Sequence, residues 1–320
     1  MSSCTDRDLK ILVIRGGALG DFLLTLPAVA GLRQKWPDAE IEMVANPRFG
    51  ELVTGPGRVD AVRPIDRPGL AGFFAKGGVL EPDWCDYFSE FDLTVSYLFD
   101  PDEIFKSNWR RGGGTGEYLG IDPTAPAIPA WKHLADPLLA LEVRPGMSHL
   151  LRGEKLAAGE SSRPTSSVPR IVLHPGSGGV RKCWALEEWI EELRIWQREQ
   201  PIELTWLAGE VEANLLQSLP EDLCRPPHEV WENRPLPEVF QVLRSADLYL
   251  GHDSGISHLA AWSGVPCGLL FGPTDPKIWA PPGSHVRTWH RRGVWPEKGE
   301  LARWWQKELG PILVMKTARR

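Results

Sequence analysis

The sequence predicts an α/β protein with parallel sheets, built from two βα-rich halves. Three observations carry this. Short apolar runs at 9–14, 170–174 and 248–250 are each followed by a glycine-rich break and then by apolar residues at helical spacing. The stretch 153–169 is rich in Ser, Pro and charge and separates two such sets, as a linker would. A length of 320 residues also suffices for two cores of ordinary size.

In chain order, 9–14 reads as a buried strand, and Arg15-Gly16-Gly17-Ala18-Leu19-Gly20-Asp21 as the loop after it. Phe22, Leu23, Leu26, Val29, Ala30 and Leu32 then repeat at helical spacing and predict a helix over 22–35, with Pro27 tolerable only near its first turns. A strand at 41–45 closes the first βαβ unit. The loop is not a dinucleotide fingerprint. If Gly17 and Gly20 are aligned with the second and third glycines of that motif, Arg15 stands where the first must be. A strand is expected at 91–97, and 108–114 (NWRRGGG) reads as a mobile basic loop.

The second half opens with a strand at 170–174, a glycine-rich turn to Lys182, and an amphipathic helix over 186–197. A strand at 204–208 ends at Gly209-Glu210, and a helix over 236–245 leads to the most organised stretch, 246–273. There the strand 248–250 breaks at Gly251-His252-Asp253-Ser254-Gly255, a helix follows through Ile256, Leu259, Ala260 and Trp262, Gly264 and Pro266 stop it, and 267–271 is a further strand. In an open parallel sheet such loops lie where ligands bind, and the unpaired amides of a helix start suit a phosphate. The tail carries Trp304, Trp305 and Leu309 at helical spacing and is expected to pack back across the first half. The domains are therefore expected over 1–155 and 156–300, with 301–320 as that returning helix.

Composition excludes several functions. A net charge of −6 supplies no broad basic field for nucleic acid. Five scattered cysteines without a C-x-x-C pair indicate neither a disulfide framework nor a zinc site, and point to a reducing compartment. The early apolar run at 11–14, framed by Lys10 and Arg15, is too short for a signal peptide or membrane span, so a cytoplasmic protein is expected. No Walker loop, G-x-S-x-G or H-E-x-x-H motif occurs. His252-Asp253 with His258 matches no helical ligand pair, so neither a metal nor a cofactor is expected.

Several residues admit two readings. Asp21 is either an N-cap of the first helix or a carboxylate able to take a proton from a hydroxyl. Lys182 is either a surface lysine or a point charge on phosphate, and as a cation near a helix N-terminus it gains nothing from the dipole. Asp253 is either a cap or a ligand residue. His258 is either a core histidine or part of the site. Yet His252, Asp253, Ser254 and His258 crowd one sheet end, where capping needs only one of them.

The stretches ILVIRGGALGDFLLTLPAV (11–29), IVLHPGSGGVRKCWALEEW (171–189), WLAGEVE (206–212) and ADLYLGHDSGISHLAAWSGVPCGLLFGPTDP (246–276) strongly resemble glycosyltransferase family 9. Its members are the lipopolysaccharide heptosyltransferases, which use ADP-heptose. The resemblance covers both halves, with 50–153 matching in outline. It implies the GT-B architecture, two Rossmann-like domains facing a central cleft, the first holding the acceptor and the second the nucleotide sugar. It puts the base on Asp21 and the donor-phosphate lysine on Lys182, with Ser177 as its partner. The ribose carboxylate falls on Glu210, with Glu212 as the alternative. Asp253 is placed at the sugar hydroxyls, Ser254 and Gly255 as backbone donors to phosphate, and His258 nearby. Gly16 and Gly17 replace hydroxyl and basic residues common in the family's first loop.

The function implied is an inverting, metal-independent transfer of a sugar, heptose by resemblance, from an ADP-sugar to a hydroxyl of a lipopolysaccharide core or related glycan. Its partners would be that donor and a glycolipid or oligosaccharide acceptor, with peripheral contact at the inner membrane face. A nucleotide-sugar epimerase or hydrolase on the same fold, and a catalytically idle sugar-nucleotide-binding protein, are the alternatives. The joint presence of Asp21, Lys182 and Asp253 argues against the idle protein.

Overall fold

A computed structural model describes residues 9–124, 127–146, 168–209, 212 and 216–311. The chain divides into two compact units, Met1–Gly153 and Glu154–Arg320.

The first unit holds a parallel sheet of β1 (Lys10–Ile14), β2 (Glu40–Ala45), β3 (Ala61–Pro64), β4 (Leu93–Ser96) and β5 (Glu117–Gly120), in the order β3-β2-β1-β4-β5. β1 is central because Ile11 to Ile14 are apolar on both faces, and all four are fully buried. The chain leaves β1 toward β2 on one side and later returns to pair β4 on the other, so the switch point lies between β1 and β4. Helix α1 (Leu19–Lys35) begins three residues earlier than its apolar pattern suggests, and Phe22 to Leu32 are buried throughout. Pro27 sits in its interior rather than its first turns, and the Pro27 carbonyl accepts a hydrogen bond from Gly146 N at 2.8 Å.

The segment expected as a mobile basic loop at 108–114 is for its first half a helix. Helix α2 (Pro82–Ser89) and helix α3 (Ile104–Arg111) bury Trp84, Phe88, Phe105 and Trp109 in one aromatic core. Asp100 caps α3, its two carboxylate oxygens accepting from Phe105 N at 3.1 Å and Lys106 N at 3.0 Å. Asn108 is buried, and its amide donates to the carbonyls of Phe73 and Ala75 at 3.0 and 2.8 Å. Glycines and arginines in sequence suggested mobility, but the buried face is supplied by Phe105, Asn108 and Trp109.

In the second unit β6 (Arg170–His174), β7 (Glu203–Ala208), β8 (Glu229–Glu232), β9 (Leu248–His252), β10 (Cys267–Phe271) and β11 (Val286–His290) form a parallel sheet ordered β11-β10-β9-β6-β7-β8. Its switch point lies between β6 and β9. Four helices matter here: α4 (Leu186–Gln197), α5 (Leu236–Ser245), α6 (Gly255–Ser263) and α7 (Glu300–Glu308).

The tail helix, expected to return to the first half, packs into the second unit instead. Leu301, Trp305 and Leu309 are fully buried in its core, and the Trp305 ring stacks on Trp189 with centroids 5.9 Å apart and planes 20° from parallel. Buried Glu192 of α4 caps α7, accepting from Ala302 N at 2.6 Å and from Gly299 N. The spacing of Trp304, Trp305 and Leu309 showed an apolar stripe without showing which partner it meets. Residues 312–320 lie outside the described residues. Among the described residues no helix is long and apolar enough to cross a membrane.

Candidate active site

At the switch point of the second sheet, the loops after β6 and β9 meet. Ser177, buried, donates its hydroxyl to the Asp253 carbonyl at 2.7 Å, which ties the two loops by backbone. Lys182 closes a short 3₁₀ turn (Val180–Lys182), and its Nζ stands 2.8 Å from Asp253 Oδ2. The same oxygen accepts from Thr274 Oγ1 at 2.9 Å, in the loop after β10. Three strand ends thus converge on one carboxylate, which is itself nearly buried.

Helix α6 starts next to it. Ser254 is its N-cap, with Oγ accepting from Ser257 N at 3.3 Å. Gly255 is the first helical residue, and the amides of a first turn point along the axis toward whatever lies before it, with the positive end of the dipole. A lysine cation, first-turn amides and hydroxyl groups around one loop suit a diphosphate. His258 lies one turn into the helix, buried, with its N–H bonded to Ser254 O at 3.3 Å.

Below this edge runs a buried polar chain that the sequence reading did not single out. Tyr249 OH lies 3.0 Å from Ser257 Oγ, which lies 3.1 Å from Ser254 Oγ, which in turn lies 3.5 Å from His174 Nδ1. Burial pushes the His174 ring down to about 4, so at neutral pH it is uncharged. Its Nε2 is 3.9 Å from Glu212 Oε2. Glu212 folds back onto its own loop, accepting from Gly209 N at 3.1 Å, and its side chain fills the place where a Cβ on Gly176 would stand, 2.1 Å from Glu212 Cγ. Glu210, the first choice of the two candidate carboxylates, lies outside the described residues. Both His174 and Thr274 stand at the carboxyl ends of central strands, and that position was the signal available for them.

His252 leaves the group. It is fully buried among Trp184, Trp189 and Trp295, and its Nε2 accepts from Trp184 N at 2.9 Å and Trp189 Nε1 at 3.3 Å. It is a packing residue beneath the loop. Among the described residues no three His, Cys, Asp or Glu side chains stand where they could hold a metal ion.

In the first unit Asp21 is not the N-cap of α1. Ala18 holds that position, and Asp21, three residues on, reaches back so that its Oδ2 accepts from Ala18 N at 3.0 Å. Its other oxygen, Oδ1, lies 3.4 Å from Arg15 Nη2, while the carboxylate keeps 43% of its side-chain surface exposed. Arg15 is buried, a state rare for arginine, and burial works against its charge. Its Nε donates to Asp21 O at 3.2 Å and its Nη1 to Tyr97 O at 3.2 Å. The exposed oxygen surface of Asp21 is therefore presented at the carboxyl edge of β1, at the switch point of the first sheet.

A glycosyltransferase family 9 (heptosyltransferase) model matches residues 120–299. The chain belongs to this family. It is a glycosyltransferase. The Pseudomonas aeruginosa protein named lipopolysaccharide heptosyltransferase 1 is 24% identical over 293 residues, spanning 84% of this chain and 80% of the relative. Among solved structures, the family 9 glycosyltransferase of Veillonella parvula superimposes with a TM-score of 0.74 at 18% identity, covering 98% of this chain and all of the other. The E. coli heptosyltransferase WaaC solved with ADP gives a TM-score of 0.67 at 19% identity, over 95% of this chain and all of the other. The fold of this glycosyltransferase is thus the α/β GT-B architecture, with a parallel sheet in each unit.

Proposed function

We propose that this family 9 enzyme transfers heptose from ADP-heptose, with inversion and without a metal ion, to a hydroxyl of the lipopolysaccharide core. One observation carries the donor side: Lys182, Asp253 and the start of α6 meet at the switch point of the second sheet. There Lys182 and the first-turn amides of α6, at Gly255 and beyond, would take the diphosphate, Asp253 the sugar hydroxyls, and Glu210, with Glu212 as the alternative, the ribose. WaaC has been solved with ADP and with ADP-2-deoxy-2-fluoro heptose, which supports this choice of donor.

The chemistry follows from charge. Asp21 accepts the proton of the acceptor hydroxyl as its oxygen bonds to the anomeric carbon, on the face opposite the diphosphate. The bond from that carbon to the diphosphate oxygen breaks, and ADP departs with the electron pair. Lys182 and the helix amides stabilise the charge that develops on the leaving oxygen, the task a divalent cation performs in other transferases. A single displacement inverts the anomeric centre. A glycolipid acceptor would bring the enzyme to the inner membrane face as a peripheral protein.

Calorimetric titration of the full chain with ADP, UDP and GDP, followed by transfer from ADP-heptose in the presence of a chelator, tests the reading. Selective ADP binding and chelator-resistant transfer with an inverted product support it. Preference for another nucleotide, or activity restored only by magnesium or manganese, would overturn the donor or the metal-independent part respectively.

A further inference from the structure

We propose that Arg15 is a positioning residue for the reaction, acting by holding the Asp21 carboxylate in one place. The proposal rests on Asp21 being the base. Arg15 follows β1 directly, and its guanidinium reaches three partners at once: Asp21 O and Tyr97 O at 3.2 Å each, and Asp21 Oδ1 at 3.4 Å. Tyr97 follows β4, the strand that pairs with β1 across the switch point, and Tyr97 N itself donates to Ile14 O at 2.9 Å. One buried cation therefore fixes the first turn of α1 to two adjacent strand ends.

The effect on Asp21 is specific. Its two oxygens are held from different directions, Oδ2 by Ala18 N at 3.0 Å and Oδ1 by Arg15, which sets the side-chain torsions while the outer surface stays open. A base must stand within hydrogen-bond reach of the proton it takes, and small misplacement costs rate steeply. Lysine cannot reproduce this arrangement. A single ammonium on a flexible stem cannot span two carbonyls and a carboxylate with a planar fork.

A buried arginine could equally be a strut for the fold alone, and the test separates the two. Single-turnover transfer, ADP affinity and thermal melting are measured for Arg15→Lys, Asp21→Asn and the double variant. Positioning through Asp21 predicts that Arg15→Lys slows transfer ~10- to 100-fold with ADP affinity unchanged. It also predicts non-additivity: once Asp21→Asn has removed the base, adding Arg15→Lys slows transfer less than about twofold further. Equal slowing in both backgrounds would make Arg15 a strut or an acceptor contact, and normal turnover of Arg15→Lys would leave it no role; both overturn the proposal while the base reading stands. Near-normal transfer by Asp21→Asn would instead overturn the base reading, and this proposal with it. Should Arg15→Lys fail to fold, Arg15→Gln, a neutral donor whose amide nitrogen falls where Arg15 Nε donates to Asp21 O, takes its place in the same cycle.

Discussion

Lys182 Nζ and Asp253 Oδ2 lie 2.8 Å apart across the switch point of the second sheet, and Thr274 donates to the same oxygen. Lysine and aspartate come from loops that follow strands adjacent in space and far apart in sequence, so the pair exists only once β6 and β9 are side by side. With a third or more of the lysine side chain exposed, its contribution to stability is small. Its value is positional. In the proposed function a preformed cation sits where the diphosphate would arrive, and it would screen that diphosphate from a nearly buried carboxylate.

Removing the lysine should therefore harm binding twice over, through the lost charge-assisted bond and through an exposed repulsion from Asp253. Lys182→Ala is expected to weaken ADP binding by ~1 to 3 kcal/mol, about ten- to a hundredfold. Adding Asp253→Asn to that variant should recover part of the loss. Calorimetry on the three proteins checks this, and unchanged affinity in Lys182→Ala would end the phosphate role.

Asp21→Asn carries a prediction with two parts. Its side-chain oxygen can still accept from Ala18 N, so α1 should form, but buried Arg15 loses its charged partner and stability should fall by about 1 kcal/mol. Transfer should fall ~10²- to 10⁴-fold because an amide cannot take the proton. ADP affinity should not change, since the residues proposed to hold the nucleotide belong to the other unit. Melting, titration and single-turnover assays on one variant would show whether rate and stability separate in this way.

The central strands were legible in sequence and the edges were not. β1, β6, β9 and β10 are continuous apolar runs because both their faces are covered, and their burial is nearly complete. β3, β5, β8 and β11 escaped notice, and each is a sheet edge with mostly half-buried or exposed side chains. Without a covered face no alternation is imposed on them. The site was legible in part for a related reason. Ser177, Lys182, Asp253 and Ser254 stand in loops that the glycines announce, and the fold brings them together. Arg15, His174 and Thr274 are placed by contacts between loops, which no local spacing encodes. His252 shows the converse, a histidine beside the site whose ring is consumed by tryptophan N–H groups.

Gly17 is required by Asp21. Its φ of +95° lies where a side chain is strained, and a Cβ there would stand 2.7 Å from Asp21 Oδ2. The carboxylate is the flexible partner, so it would swing out and lose Ala18 N and Arg15. Gly17→Ala should cost ~1 to 2 kcal/mol of stability from the backbone alone. It should also slow transfer more than that loss of folded protein accounts for, with ADP affinity intact. Normal turnover in a folded Gly17→Ala protein would show that the carboxylate need not be held where it is.

The last prediction concerns acid. Burial pushes His174 down to about 4 and His252 to about 3, the latter also through its proximity to His174. An unfolded histidine titrates near ~6.5. Between ~6.5 and the folded values the unfolded chain binds protons that the folded chain refuses, so stability is full above ~6.5 and falls as pH drops through that window. For His252 the physical reason is visible: protonation at Nε2 would set an N–H against the N–H groups of Trp184 and Trp189. Each histidine should cost about 2 kcal/mol of stability between pH 7 and 5. Urea unfolding followed by tryptophan fluorescence at several pH values in that range reads this directly, because Trp184, Trp189 and Trp305 lie in the same core. His252→Gln, whose side-chain oxygen can still accept from Trp184 N, should be less stable at pH 7 and flatter toward acid by that histidine's share. A wild-type midpoint that stays level from pH 7 to 5 would mean that these rings take up protons without opening the core.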